Sequence, residues 1–151
     1  MSITSIRRGT TALAVSACLA GALTGGASSA SAAPSAPPAP SAAVRLEAQL
    51  AASGDPDGSG EAVFRLNAAR GRVCAAVSWS GIEKPAAGHI HRRSDSAVVV
   101  DLSTSVTGGA HCASGVSKRL VGRIVAHPRR FYFNVHNATY PAGAIQGNLH
   151  R

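Results

Sequence analysis

From Val44 onward the chain is cut into short segments that alternate apolar and polar residues, and this period of two is the strongest constraint on its fold. Val44, Leu46, Ala48 and Leu50 alternate with Arg45, Glu47 and Gln49. Ala62, Phe64 and Leu66 alternate with Val63, Arg65 and Asn67. Over residues 72–80, Val73, Ala75, Val77 and Trp79 share one face and Cys74 lies on the other. Trp79 is the single tryptophan and is expected in the core. Over residues 131–136, Phe131, Phe133 and Val135 oppose Tyr132, Asn134 and His136. Successive side chains of an extended segment point to opposite faces, so each stretch reads as a half-buried strand.

Turn chemistry separates these strands. Residues 53–60, Ser-Gly-Asp-Pro-Asp-Gly-Ser-Gly, form a dense turn signal. Asp55 and Asp57 hint at a calcium loop, but the third acidic ligand and the distal Glu are missing, so the stretch reads as a turn. Residues 68–71 form a hairpin connection, and residues 81–88 a loop around Pro85. A short strand spans 88–92. The apolar run 97–102 is expected to be a buried strand, followed by loop over 103–114. From residue 116 the period changes: Leu120, Val121, Ile124 and Val125 recur at helical spacing until His127-Pro128 stops them. A final strand covers 144–149. About seven or eight strands with one short helix predict an all-β fold, an antiparallel β-sandwich or Greek-key barrel.

The residues before this domain have a different character. Arg7 and Arg8 precede an uncharged, small and apolar stretch, and Ala30-Ser31-Ala32 is a cleavage signal. Residues 1–32 therefore read as a secretory signal peptide, whose apolar stretch, Thr10 to Leu23, is too short and too rich in Gly and Ser to span a membrane. Val15-Ser16-Ala17-Cys18 is also similar to a lipoprotein box, which makes lipid anchoring through Cys18 the alternative to full secretion. Residues 33–42 are Pro- and Ala-rich and read as an extended, solvated tail. Residues 43–151 make one domain, with no transmembrane segment expected in the mature chain.

Charge narrows the partners. The chain has 15 basic and 7 acidic side chains; without Arg7 and Arg8 the balance is 13 to 7, or +6. The basic residues are scattered, and no run within the domain exceeds a pair, as in Arg92-Arg93, Lys118-Arg119 and Arg129-Arg130. Such a pattern predicts a basic exported domain with an extracellular or cell-surface partner and no nucleic-acid function. No Gly-x-Ser-x-Gly turn, phosphate loop or acid/base carboxylate pair is present, so a binding or structural module is expected rather than an enzyme.

Two sets of residues carry chemistry. Cys74 and Cys112 remain after the leader is lost, an even count in an exported chain, and a disulfide between them is the natural inference. It would close a loop of about 38 residues, contribute about 3 to 4 kcal/mol, and brace the strand enclosed by that loop. That strand contains Gly88-His89-Ile90-His91, whose two imidazoles point to one side. If it neighbours residues 131–136, His136 joins them. Three neutral imidazoles suit copper or zinc and leave one coordination position open. The structural alternative is that the three rings bond one another, Asn134 or nearby carbonyls and fasten two strands. His111, His127 and His150 fit no pattern.

Four motifs in order resemble the CHRD (chordin) domain: the Gly-rich turn 55–60, Gly88-His89-Ile90-His91, the run from Pro128 to His136 with its Phe131-Tyr132-Phe133-Asn134-Val135-His136 core, and Tyr140-Pro141-Ala142-Gly143-Ala144-Ile145-Gln146-Gly147-Asn148-Leu149. The resemblance covers residues 43–149. Cys74 and Cys112 are similar to a cysteine pair of exported actinobacterial-type members. The family's Gly-x-x-Gly-Pro loop after the histidine pair is replaced here by Arg92-Arg93-Ser94-Asp95-Ser96. In chordin-like animal proteins such domains occur in extracellular growth-factor antagonists. For bacterial members the resemblance implies no activity. The His-x-His strand is also similar to that of copper/zinc superoxide dismutases. Those enzymes carry further ligands, for which only His111 and Asp95 or Asp101 are available here.

Overall fold

The structure, a computed structural model, describes residues 42–151. The expected leader, Cys18 and nearly all of the Pro/Ala-rich tail lie outside the described residues. Eight strands form one antiparallel sheet curled into a nearly closed barrel: β1 (Val44–Ala52), β2 (Ser59–Asn67), β3 (Arg72–Ser80), β4 (Ala87–Arg92), β5 (Val98–Asp101), β6 (His111–Ala113), β7 (Phe131–His136) and β8 (Ile145–Asn148). Their order across the sheet is β5-β4-β7-β8-β1-β2-β3-β6. Only β1 to β3 form a simple meander. The chain then crosses to β4, and crosses back from β5 to β6, as in Greek-key barrels.

The alternating residues fill the interior. Leu46 pairs with Phe64, Ala48 with Ala62, and Leu66 with Val73, all of them fully buried. From the facing wall Phe133 of β7 meets Phe64 edge-on, with ring centroids 5.3 Å apart. The helix expected around residues 120–125 is Lys118–Ala126; it turns Val121 and Ile124 into the core. His127 caps it and a 3-10 turn, Pro128–Arg130, leads into β7. Among the described residues no helix is long and apolar enough to cross a membrane.

Three expectations are corrected. Trp79 is 38% exposed rather than buried. It keeps the predicted face, but β3 outruns the interior there: Val77 is half-buried, and the residue paired with Trp79 is Gly60, which offers no side chain to pack on. The apolar run 97–102 is an edge strand, with Val98 53% exposed. The stretch 103–114 is not all loop. It holds a five-residue helix, Ser103–Thr107, and the edge strand β6. Ser-Thr-Ser-Val-Thr has neither helical period nor strong helix propensity. Its helix is set by burial of Leu102 and Val106, with Thr107 Oγ1 donating to Ser103 O.

That helix, α1, packs against β4 on one side and β3 and β6 on the other, over the seam where the barrel fails to close (Lys118–Ala126 is then α2). Gly88 permits this approach, because a Cβ there would stand 2.9 Å from both Phe133 and Val106. At the β6 edge Cys112 lies directly opposite Cys74, with the sulfurs 2.14 Å apart, at disulfide distance. The other edge, β5 with β4, carries the histidines.

Candidate functional site

Antiparallel pairing of β4 and β7 sets His91 against Tyr132, His89 against Asn134 and Ala87 against His136. Ile90, Phe133 and Val135 take the interior, so the histidines share the outer surface. The three rings converge as the two strand patterns imply. Their centroids lie 5.0 Å (His89–His136), 5.8 Å (His89–His91) and 6.0 Å (His91–His136) apart. His91 is only 7% exposed and stacks on Tyr132 at 4.9 Å and 14°.

Each ring has one nitrogen tied outward. His91 Nδ1 is 2.9 Å from Ser96 O, and His136 Nδ1 is 3.0 Å from Pro141 O. A carbonyl only accepts, so both Nδ1 atoms donate. On the third ring, Ser103 Oγ donates to Asp101 Oδ1 at 2.7 Å, which leaves Ser103 Oγ to accept from His89 Nε2 at 3.4 Å. The Asp101 carboxylate lies 3.8 Å from the same nitrogen. In the neutral rings this assigns inward lone pairs to His91 Nε2 and His136 Nε2, and His89 turns Nδ1 into the same space.

Those inward atoms are under-satisfied. His89 Nδ1 and His136 Nε2 face each other at 3.2 Å, at hydrogen-bond distance, with the tautomer of His89 deciding whether a proton lies between them. His91 Nε2 is buried and has no hydrogen-bond partner. Burial pushes the His89 and His136 imidazoles below their ordinary 6.5, and neighbouring imidazoles add to the effect. For His89 the Asp101 carboxylate opposes that shift without reversing it. Hydrogen bonds from Ser103 in turn hold the Asp101 carboxyl below the usual carboxylate value.

The loops around the rings are built for this arrangement. The short turn after β4 brings Ser96 O to His91, with Ser96 itself in the left-handed region at φ 53°. Gly143, at φ 133°, lies so close over the Asn134 side chain that a Cβ would fall 2.4 Å from Asn134 Oδ1. Asn134 Nδ2 donates to Ala142 O, so Asn134 holds the 137–144 loop and does not bond the histidines. Asn137 accepts from Tyr140 N in the same loop. Asp101, Ser103 and Tyr132 complete the surroundings of the rings. Of these, Tyr132 shares the polar face of His136 in the sequence pattern and Asp101 is among the spare ligands it offers, while Ser103 falls in a stretch that reads as loop. The carbonyls of Ser96 and Pro141 leave no mark there.

Residues 41–149 match the CHRD domain. The chain belongs to the CHRD domain family. No curated protein and no solved structure matches it. Of the chain's six histidines, three form the one group of potential metal ligands found among the described residues, with a nitrogen from each within 4.8 Å of the others. His111 lies on β6 and His127 at the end of α2, while His150 pairs with Glu47 beside β1, so none joins the group. Asp95 is bound to Arg92 through two hydrogen bonds. Of the further ligands a dismutase-type site would need, His111 and Asp95 are elsewhere, and Asp101 lies beside the rings but on the Nε2 side of His89, 3.8 Å away. The Cys74–Cys112 pair lies at the opposite edge of the sheet, with α1 packed between that edge and the histidine strand.

Proposed function

We propose that this CHRD domain is an exported binding module whose outer β4–β7 surface holds a copper or zinc ion through His89 Nδ1, His91 Nε2 and His136 Nε2. One observation carries the reading: three ring nitrogens converge within 4.8 Å, that of His91 buried without a partner, while Nδ1 of His91 and of His136 is fixed by an outer carbonyl. Two nitrogens bound to one tetrahedral zinc at ordinary bond lengths stand about 3.3 Å apart. Drawing the third nitrogen to the same spacing asks for a shift of at most about 1.5 Å from the 4.8 Å limit of the group. Outer acceptors that set the tautomer of each imidazole are the usual support of metal-bound histidines. The lowered proton affinity of His89 and His136 also reduces competition from protons near neutral pH.

Three protein ligands leave a position for an outside group, which makes the ion a means of binding a partner or small molecule at the cell surface. The test is metal content and affinity of the purified protein, repeated for His91→Ala. One copper or zinc per chain, lost in the variant, supports the proposal. No stoichiometric metal after incubation with either ion sinks it. The histidines would then be a fastening between β4 and β7, a reading favoured by the stacking of His91 on Tyr132.

A further inference from the structure

The arginine pairs that lie apart in the sequence meet at one end of the barrel. A cleft of about 530 Å³ is lined by Arg92 and Arg93 from the β4–β5 turn, Arg123 from α2, and Arg129 and Arg130 from the 3-10 turn. A second concavity of about 470 Å³ adjoins it, shares His127, Arg129 and Arg130, and continues to Arg151. No Asp or Glu side chain lines either one.

Arg92 is neutralised by Asp95, Arg93 donates to Asn148, and Arg151 donates to Val125 O. Arg123, Arg129 and Arg130 are exposed, and their guanidinium groups have no hydrogen bond or ion pair among the described residues. Guanidinium groups cannot shed their charge. Gathering three of them unpaired around a concave surface raises a positive potential that a multivalent anion relieves.

We propose that this continuous cleft binds a phosphate-bearing polyanion through Arg123, Arg129 and Arg130. The planar fork of arginine matches the oxygens of a phosphate bidentately. The two joined concavities offer far more room than one phosphate group fills, which favours a chain of them. Phe131, the sole Phe, Tyr or Trp in the lining, is 4% exposed, so nucleic-acid bases find no large aromatic face to stack on there. The large exposed apolar side chains, Trp79 and Val98, are not part of the lining, so nothing at the cleft would insert into a bilayer. This site is separate from the histidines and does not depend on their binding metal.

The experiment is titration of the purified protein with linear polyphosphate, monitored by calorimetry at two salt concentrations. Binding should weaken steeply with salt, and Arg123→Gln/Arg129→Gln/Arg130→Gln should lower affinity by about tenfold or more. The charge-matched control Arg65→Gln/Arg70→Gln/Lys84→Gln should stay within about twofold. A chelator and His91→Ala should leave the titration unchanged. The proposal is overturned by absence of binding or by equal losses in the two triple variants. Tighter binding to an oligonucleotide of equal charge, or binding only to phosphatidylglycerol vesicles, overturns it as well. Arg129→Glu serves as a second variant, with the thermal transition recorded to show that each protein is folded.

Discussion

Strands β4 and β7 have two faces, and they obey different rules. Inward, Ile90, Phe133 and Val135 are fully buried among apolar side chains that ask for nothing but close packing. Outward, the same backbones carry His89, His91, Asn134 and His136, with His91 Nε2 and Asn134 Oδ1 buried and unpartnered. Burying an unpaired polar atom costs about 1 to 3 kcal/mol. A surface chosen for stability alone would not keep such atoms, whereas the inner face has no comparable cost. The contrast separates what holds the domain together from what it is for.

The sharpest break of that contrast is at Phe133. Phe133→Ala removes the ring that meets Phe64 across the barrel and should cost about 3 to 5 kcal/mol, read as a lower urea midpoint. Metal affinity of whatever folded fraction remains should be kept, because the ring does not touch the histidines' ligand atoms. A Phe133→Ala protein as stable as the parent would show that the interior is not packed as described.

The reciprocal effect comes from the outer face. An ion that binds only the folded state should raise stability by about 2.7 kcal/mol at a free concentration one hundred times its Kd. Thermal melts with and without zinc or copper measure it, and the rise should vanish in His136→Gln. A rise that survives in this variant would place the ion elsewhere.

How much of this was legible beforehand differs between the two faces for a physical reason. The inner face follows from a period of two, so β1, β2 and β7 and their buried residues could be read directly. The histidine cluster was readable because two polar strand faces, one bearing His89 and His91 and one bearing His136, needed only to be neighbours. Alternation reports a face and not where the interior ends, so Trp79 falls on the inner face of β3 and yet beyond the core. The α1 segment was missed because its helix comes from covering the seam, which no local pattern encodes. The atoms that orient the rings are partly backbone carbonyls of Ser96 and Pro141, and any residue supplies a carbonyl. The arginine cleft is invisible in the sequence for a related reason: the Arg92-Arg93 and Arg129-Arg130 pairs and the single Arg123 lie far apart in the chain and meet only when the barrel closes.

Acid should distinguish the faces without any substitution. Both His89 and His136 have folded-state proton affinities below the ordinary 6.5, so the unfolded chain binds more protons as pH falls. Stability of the metal-free protein should be level above about pH 6.5 and decline below it, until the lowered folded values are passed. Asp101, held below its ordinary 3.8, adds a second decline only under that value. Urea midpoints at several pH values in chelator measure the slope, and His136→Gln should flatten the upper decline. A slope that is unchanged in this variant would mean that titratable groups other than His136 govern the acid response.

The smallest effect is the most discriminating. His91→Phe keeps a ring against Tyr132, removes the buried and unpaired Nε2, and gives up the bond from Nδ1 to Ser96 O. Ser96 is exposed, so its carbonyl can turn to water once the imidazole is gone. Loss of one hydrogen bond worth about 1 kcal/mol is set against relief of one unsatisfied buried nitrogen of similar magnitude. Stability of the metal-free protein should therefore stay within about 1 kcal/mol of the parent, in either direction. Metal binding should fall at least about tenfold, since one of three ligands is lost. A large loss of stability with metal affinity intact would reverse the assignment, making the outer face a fastening like the inner one.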